Sequence, residues 1–406
     1  MMLRKAFRTT ALLIMMGLFP AAGAFGQTGE PAFKVIVLAP QVSHYTPGHD
    51  YAALFEDNLE KHWPGGQVEL RYFPREATES PEVVSRTLVG LADDPKVRAV
   101  VIGEAPLGSI DGSARLRARR PDIFVIAIDP HEGLKPMSRI ATLTMALNHQ
   151  ARGYIYPTLA SRMGARSLVS FSFPSQIDLP IFAQQQRIMT QVTRDMGMIL
   201  ISDFNSPDPG DPYVTRAELE TYLDNAVQRY LGQYGPNTAF VSTSTTHSDI
   251  LVPIIMRRGG RMLPAVQSSL LLGFPEALDL MDEARTLFGQ WRRLLALIDE
   301  KIIALNPPGQ FAAWTYPYPH TAMLAMADTA VSAIEDQTDL YDLKTVTNVL
   351  EKYSPGVKWL VTTHMDYDTE TLVPQVLLVI QDTYWFGRGY QGFTRLNIPA
   401  RYYRIK

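Results

Sequence analysis

Short apolar runs alternate with amphipathic stretches along most of this chain, and the series runs twice. Residues 33–39 (FKVIVLA), 97–103 (VRAVVIG) and 123–128 (IFVIAI) are almost unbroken in apolar character and rich in β-branched side chains. That is the pattern of strands covered on both faces. Residues 67–73 (QVELRYF) alternate, and 140–147 give a fifth strand. Helical spacing fills the gaps. Residues 51–63 turn Leu54, Phe55, Asn58 and Leu59 to one side, and Pro81 opens a helix in which Val84, Leu88 and Leu91 fall at i, i+4 and i+7.

The second series begins at Asn148. A helix over 148–163 runs into Gly164, followed by strand 167–173, helix 179–196, strand 198–204, helix 216–234, strand 239–243, helix 248–258 and strand 262–267. Parallel neighbours need helical crossovers, so two β/α series with few hairpin signals predict an α/β fold of two open parallel sheets. The helix over 291–305 carries one apolar stripe (Trp291, Leu294, Leu295, Ile298, Ile302, Leu305) and stops at Pro307-Pro308, as a core-packing helix does. Residues beyond 341 mix helix, extended stretches and aromatics without a clear period.

The first 26 residues differ from everything after them. Arg4, Lys5 and Arg8 precede an apolar run from Ala11 to Phe19 and the small residues Ala22-Gly23-Ala24, the build of a secretory leader. The run is far below the ~20 residues of a membrane-spanning helix. Export to the periplasm is therefore expected, with a soluble mature chain and no direct membrane insertion. The formal net charge is −3, and the leader holds three basic residues and no acidic one, so the mature chain is mildly acidic and carries no nucleic-acid footprint. Cysteine is absent, which excludes a disulfide framework, thiolate chemistry and a lipidated cysteine anchor.

In open parallel sheets, ligands sit beyond the carboxyl ends of the strands, and two facing sheets make a cleft. The expected ligand-binding positions of the first series are Gln41, Ser43 and His44, then Glu104, then Asp129 and His131. Those of the second are Phe173, Asp203, Ser242, Thr243, Ser244, His247, Gln267 and Ser268. Asp129 stands out, because a carboxylate closing a buried strand is costly unless something pairs with it. In FAAWTYPYP, Tyr316 ends a stretch read as a strand of the first domain, where an aromatic face would stack on a ring; a buried aromatic cluster explains the segment equally.

Two motifs lead elsewhere. Residues 387–392 spell GxGxxG, but no helix follows to face a pyrophosphate. His364, Asp366 and Asp368 share a face if extended, and a hairpin turn accounts for them as well as a metal does. No cofactor, metal or catalytic residue is expected.

The order FKVIVLAP, VRAVVIGEAP, IFVIAIDPHEG and NHQARGYIYPTLASRMGARSLVSFSFP behind a leader resembles the type I periplasmic solute-binding proteins. That set includes ribose- and galactose-type receptors, LacI-type effector domains and basic-membrane-protein-like receptors, and the chain is most similar to an uncharacterised bacterial branch of it. The resemblance implies two hinged Rossmann-like lobes: residues 31–147 with 271–335, and 148–270 with 336–406. GRMLPAVQSS (260–269) resembles the crossing back to the first lobe. It implies a monomer that captures a small polar organic solute (sugar, nucleoside or similar) and delivers it to a transporter permease, with Asp129 placed against ligand hydroxyls. Sugar-binding members have Arg where this chain has Pro130, a departure that counts against a simple pentose or hexose. A ligand-sensing partner of a membrane kinase or chemoreceptor, and an exported hydrolase using cleft carboxylates, are the alternatives.

Overall fold

A computed structural model describes residues 31–40, 51–78, 80–176, 179–211, 213–264, 267–367 and 369–405. Residues 1–30, on which the expected leader falls, lie outside the described residues, as do Gln41, Ser43, His44 and Asp368.

Strands β1 (Lys34–Ala39), β2 (Val68–Tyr72), β3 (Val97–Ile102), β4 (Phe124–Ile128) and β5 (Leu143–Leu147) pair in parallel in the order β2-β1-β3-β4-β5. Side-chain alternation explains their apolar runs. Val35 and Val37 of β1 enter one hydrophobic layer, with Phe55 and Leu59 of the Tyr51–His62 helix. Ile36 and Leu38 enter the layer behind, with Val84 and Leu88 of the Pro81–Gly90 helix. Both faces are covered, so both sets of side chains are apolar.

The second sheet runs β7 (Ile199–Asp203), β6 (Ser167–Phe171), β8 (Thr238–Ser242), β9 (Arg261–Met262), all parallel. A bridge from Met262 to Phe311 leads on to β10 (Ala312–Ala313). The strand expected over 262–267 is met by β9 only at Met262; residues 265 and 266 of that stretch lie outside the described residues.

The two-sheet α/β architecture is as expected, but the chain divides differently between the lobes. The Trp291–Leu305 helix buries Trp291, Leu294, Ile298 and Ile302 beside Ile250, Leu270 and Phe311, in the core of the second lobe. The return crossing therefore falls at residues 314–317 rather than near 270. The Tyr318–Glu335 helix then packs on β1, β3 and β4. Residues beyond 336 do not simply complete the second lobe. Strand β12 (Thr371–Gln381) pairs in parallel with β5, and β11 (Trp359–Asp366) lies antiparallel outside it, widening the first sheet to seven strands. The third crossing, at 381–384, leads to β13 (Tyr384–Trp385) and β14 (Gly389–Tyr390), which join β10. The GxGxxG stretch is this hairpin: Gly387, Gly389 and Gly392 all have φ between 70° and 78°, a backbone that side chains disfavour.

Buried polar contacts lock the crossings together. The Gln381 amide oxygen accepts from the Thr315 and Tyr316 N–H groups (2.9 and 3.2 Å), and its nitrogen donates to the Tyr316 carbonyl (3.0 Å). Asp382 accepts from the N–H groups of Thr383, Gly392 and Phe393. At the first crossing Asn148 caps the His149–Arg162 helix through Ala151 N–H (2.9 Å).

The last described segment reaches across both lobes. Tyr402 packs with Ile188 and Val192 of the Pro180–Asp195 helix and donates to Asp195 (2.8 Å). The next residue, Tyr403, stacks on Tyr367 at the tip of the β11–β12 hairpin, with centroids 5.1 Å apart and planes 7° from parallel.

Gln381 generates a prediction. Q381A strands two buried N–H groups and a carbonyl, and should cost about 2–4 kcal/mol of unfolding free energy, read by urea denaturation. A wild-type midpoint would remove Gln381 from the hinge.

Candidate functional site

Two strand ends of the first sheet carry carboxylates on an unusual backbone. Glu104 follows β3 and Asp129 follows β4, and both have φ near 43°. Non-glycine residues adopt this left-handed region only where their surroundings enforce it, and such residues cluster at functional sites. The Asp129 N–H donates to the Met145 carbonyl (2.9 Å), and its Oδ1 accepts from the Leu147 N–H (3.0 Å). Its Oδ2 is enclosed and has no hydrogen-bond partner, although part of the residue still touches solvent.

The second lobe meets this edge with the His149–Arg162 helix, which is buried almost all round. His149, Arg152 and Tyr156 are spaced i, i+3 and i+7, so they share one face. Arg152 is 1% exposed, and its guanidinium lies over the Trp314 ring, 4.3 Å from the centroid. Both terminal nitrogens lack hydrogen-bond partners, as do the buried hydroxyls of Tyr156 and Tyr318. Tyr318 opens the helix after the return crossing and stands beside the Asp129 carboxyl, at a geometry short of a hydrogen bond.

Electrostatics ties these groups together. Burial, with Glu104 nearby, raises the Asp129 pKa to about 7, against the pull of the Leu147 N–H, Tyr318 and Arg152. Burial lowers the Arg152 pKa, and Tyr156, Asp129 and Tyr318 oppose that. Burial and the neighbouring Arg152 hold His149 neutral, with a pKa lowered to about 3, and its Nδ1 pairs with Gln185 Oε1 at 3.2 Å. Across the lobes Gln267 donates to Glu104 (3.3 Å), and the Trp314 N–H donates to Ser268 Oγ (3.3 Å). Glu104, Asp129, Gln267 and Ser268 thus lie where the lobes meet.

The other expected positions lie elsewhere or are already engaged. Asp203 accepts from the hydroxyls of Tyr222 (2.5 Å) and Tyr230 (2.7 Å). His247 is fully buried between Ser206 (Nε2, 2.7 Å) and Ser242 (Nδ1, 2.8 Å), with Phe173 packed on its ring at 4.0 Å. Thr243 bonds with Gln176 and Ser172, and Ser244 caps the Thr245–Arg258 helix. These residues satisfy one another inside the second lobe. His131 is exposed. Tyr316 is not at the end of a first-lobe strand: it sits in the return crossing, and its hydroxyl donates to the Pro355 carbonyl (3.3 Å). The aromatics of that segment at the lobe junction are Trp314 and Tyr318. His364 shares no metal cluster among the described residues, and Asp366 pairs with Lys135 at 2.6 Å.

Strand-end reasoning missed Arg152 and Tyr156 because they lie on a helix. The sequence offers only a weak signal, polar groups spaced i, i+4 on a helix that also carries other polar residues such as Gln150 and Tyr154.

Two α/β lobes on largely parallel sheets and three crossings between them define the type I periplasmic binding protein fold, with the polar cluster at the lobe junction. Within that fold, the chain belongs to the family described as "Protein of unknown function (DUF3798)", whose model matches residues 33–312. A second family model matches residues 323–405. Two relatives, both described as uncharacterized proteins of Treponema pallidum (strain Nichols), are 28% and 34% identical over 178 and 128 residues. These alignments cover 44% and 32% of this chain, and 82% and 57% of the relatives. A crystal structure assigned as a transcriptional regulator from Clostridium difficile 630 superposes with a TM-score of 0.72 at 14% identity, covering 87% of this chain and 99% of that one. That likeness is one of fold.

The raised Asp129 pKa fixes the sign of a pH effect. The folded protein holds this proton up to about pH 7, whereas the unfolded chain releases it near pH 3.8. The stability contributed by the neutral acid is full below 3.8 and is lost as pH rises through 7. The depressed pKa values of His149 and His247 act oppositely, removing stability as pH falls below 6.5, and they cancel in a comparison with D129N. D129N should therefore gain on the wild type by on the order of 2 kcal/mol between pH 5 and pH 8. Melting curves at the two pH values check it, and a constant difference counts against the buried acid.

Proposed function

We propose that this chain is an exported receptor that captures a small polar organic solute between its lobes and hands it to a membrane transporter. One observation carries the reading: Asp129 Oδ2, both Arg152 terminal nitrogens, Tyr156 Oη and Tyr318 Oη are buried without partners where the two lobes meet. Buried polar atoms are almost always paired, so a group of orphans from both lobes marks the place of a polar guest. The groups bind rather than react. A permanent cation resting on the Trp314 face, a carboxyl and two phenols gather at the lobe junction, while the Ser206–His247 pair is sealed inside the second lobe.

Capture works by hinge closure, since a solute touching both lobes favours the closed state only through contacts made better there. The leader supports a periplasmic address. No helix among the described residues is long and apolar enough to cross a membrane, in keeping with a receptor that meets its transporter at the surface.

The test is direct. Protein purified from the periplasm is denatured, the released solute is identified by mass spectrometry, and small-angle scattering is recorded with and without it. Contraction on binding is expected. D129A should weaken binding by more than about tenfold, ~1.4 kcal/mol, while keeping the fold. Unchanged dimensions with a bound solute would remove hinge closure, and unchanged affinity would remove Asp129 from the site.

A further inference from the structure

We propose that the captured solute is a hydroxycarboxylate whose carboxylate is gripped edge-on by Arg152. This rests on the interlobe site above and adds the chemical class of its ligand. A guanidinium cannot shed its proton at any accessible pH, so burying Arg152 without a counter-charge is costly. Among the described residues it forms no ion pair, and both Nη atoms are unpartnered. Trp314 covers its flat face. What remains is the in-plane edge, whose paired N–H groups match the two oxygens of a carboxylate.

The surroundings fit the rest of such a molecule. Arg152 and Asp129 are near enough to shift each other's ionisation, yet they make no ion pair. The gap between them is bridged by a solute with an anionic end and a hydroxyl end. Tyr156, on the same helical face as Arg152, offers a phenol to the carboxylate. Tyr318 and Asp129 Oδ2 offer a donor and an acceptor to hydroxyls, and Glu104 stands beside them, joined to Gln267. A neutral sugar would leave the Arg152 charge buried and uncompensated.

Matched pairs decide between the classes: galacturonate against galactose, glucuronate against glucose, lactate against propane-1,2-diol, by calorimetry on the whole protein. At least one acid should bind about a hundredfold or more tighter than its neutral partner. R152Q should lose about a hundredfold for that acid, and R152K, which keeps the charge but not the fork, about tenfold. The preference in the wild type needs no variant, so a poorly folding R152Q does not spoil the test. A neutral member binding as tightly as its acid, no acid binding at about 10 mM, or wild-type affinity in R152Q would each overturn the proposal. If a neutral solute binds and both D129A and R152Q abolish it, the carboxylate falls and the interlobe site stands. If binding survives both changes, the interlobe site falls too.

Discussion

An unpaired polar atom removed from water costs about 1–3 kcal/mol, more if charged, and this constraint organises the molecule. The strand ends of the second lobe obey it completely. Asp203, Ser242, Thr243 and His247 each find partners nearby, and the crossings obey it through Gln381 and Asp382. The junction of the lobes does not. Five orphaned atoms on four side chains gather there, whereas the other unpartnered buried atoms among the described residues, such as those of Arg98, Tyr353 and Trp385, are spread over separate parts of the fold. It is the gathering of such atoms from both lobes, rather than any one of them, that supports the reading proposed above.

The lobes are also joined by apolar contact. One hydrophobic layer runs from Val35 and Ile126 of the first sheet, through Trp314 and Tyr318, to Leu168 and Val241 of the second. The aromatic floor of the site therefore belongs to the same layer that carries the hinge. If the proposed solute binds there, motion of the lobes and occupation of the site would act on the same side chains, so a shift of shape on binding would follow.

Much of this was legible in the sequence. The strands of both sheets announced themselves because burial on two faces demands unbroken apolar runs, and Glu104 and Asp129 followed from the rule for strand ends. The division between lobes was not legible. Local periodicity identifies 291–305 as a helix and 371–381 as extended, but which lobe each joins depends on packing and pairing partners that local pattern does not show, such as β5, more than two hundred residues before β12. Arg152 escaped for a related reason: its neighbours in sequence mark it as helical, and only the fold brings Trp314 and Asp129 to it.

The stacked rings of Tyr367 and Tyr403 have a mechanical consequence. They form a clasp outside the hinge, joining the hairpin of one lobe to the tail packed on the other. Swinging the lobes apart has to break a contact of about 0.5–1.5 kcal/mol or drag the tail away from its helix. Under the proposed capture of a solute, such a clasp would favour the lobe arrangement seen here over a more open one and so lower the conformational penalty of binding. On that reading the tail would adjust apparent affinity while lying away from the Asp129–Arg152 cluster.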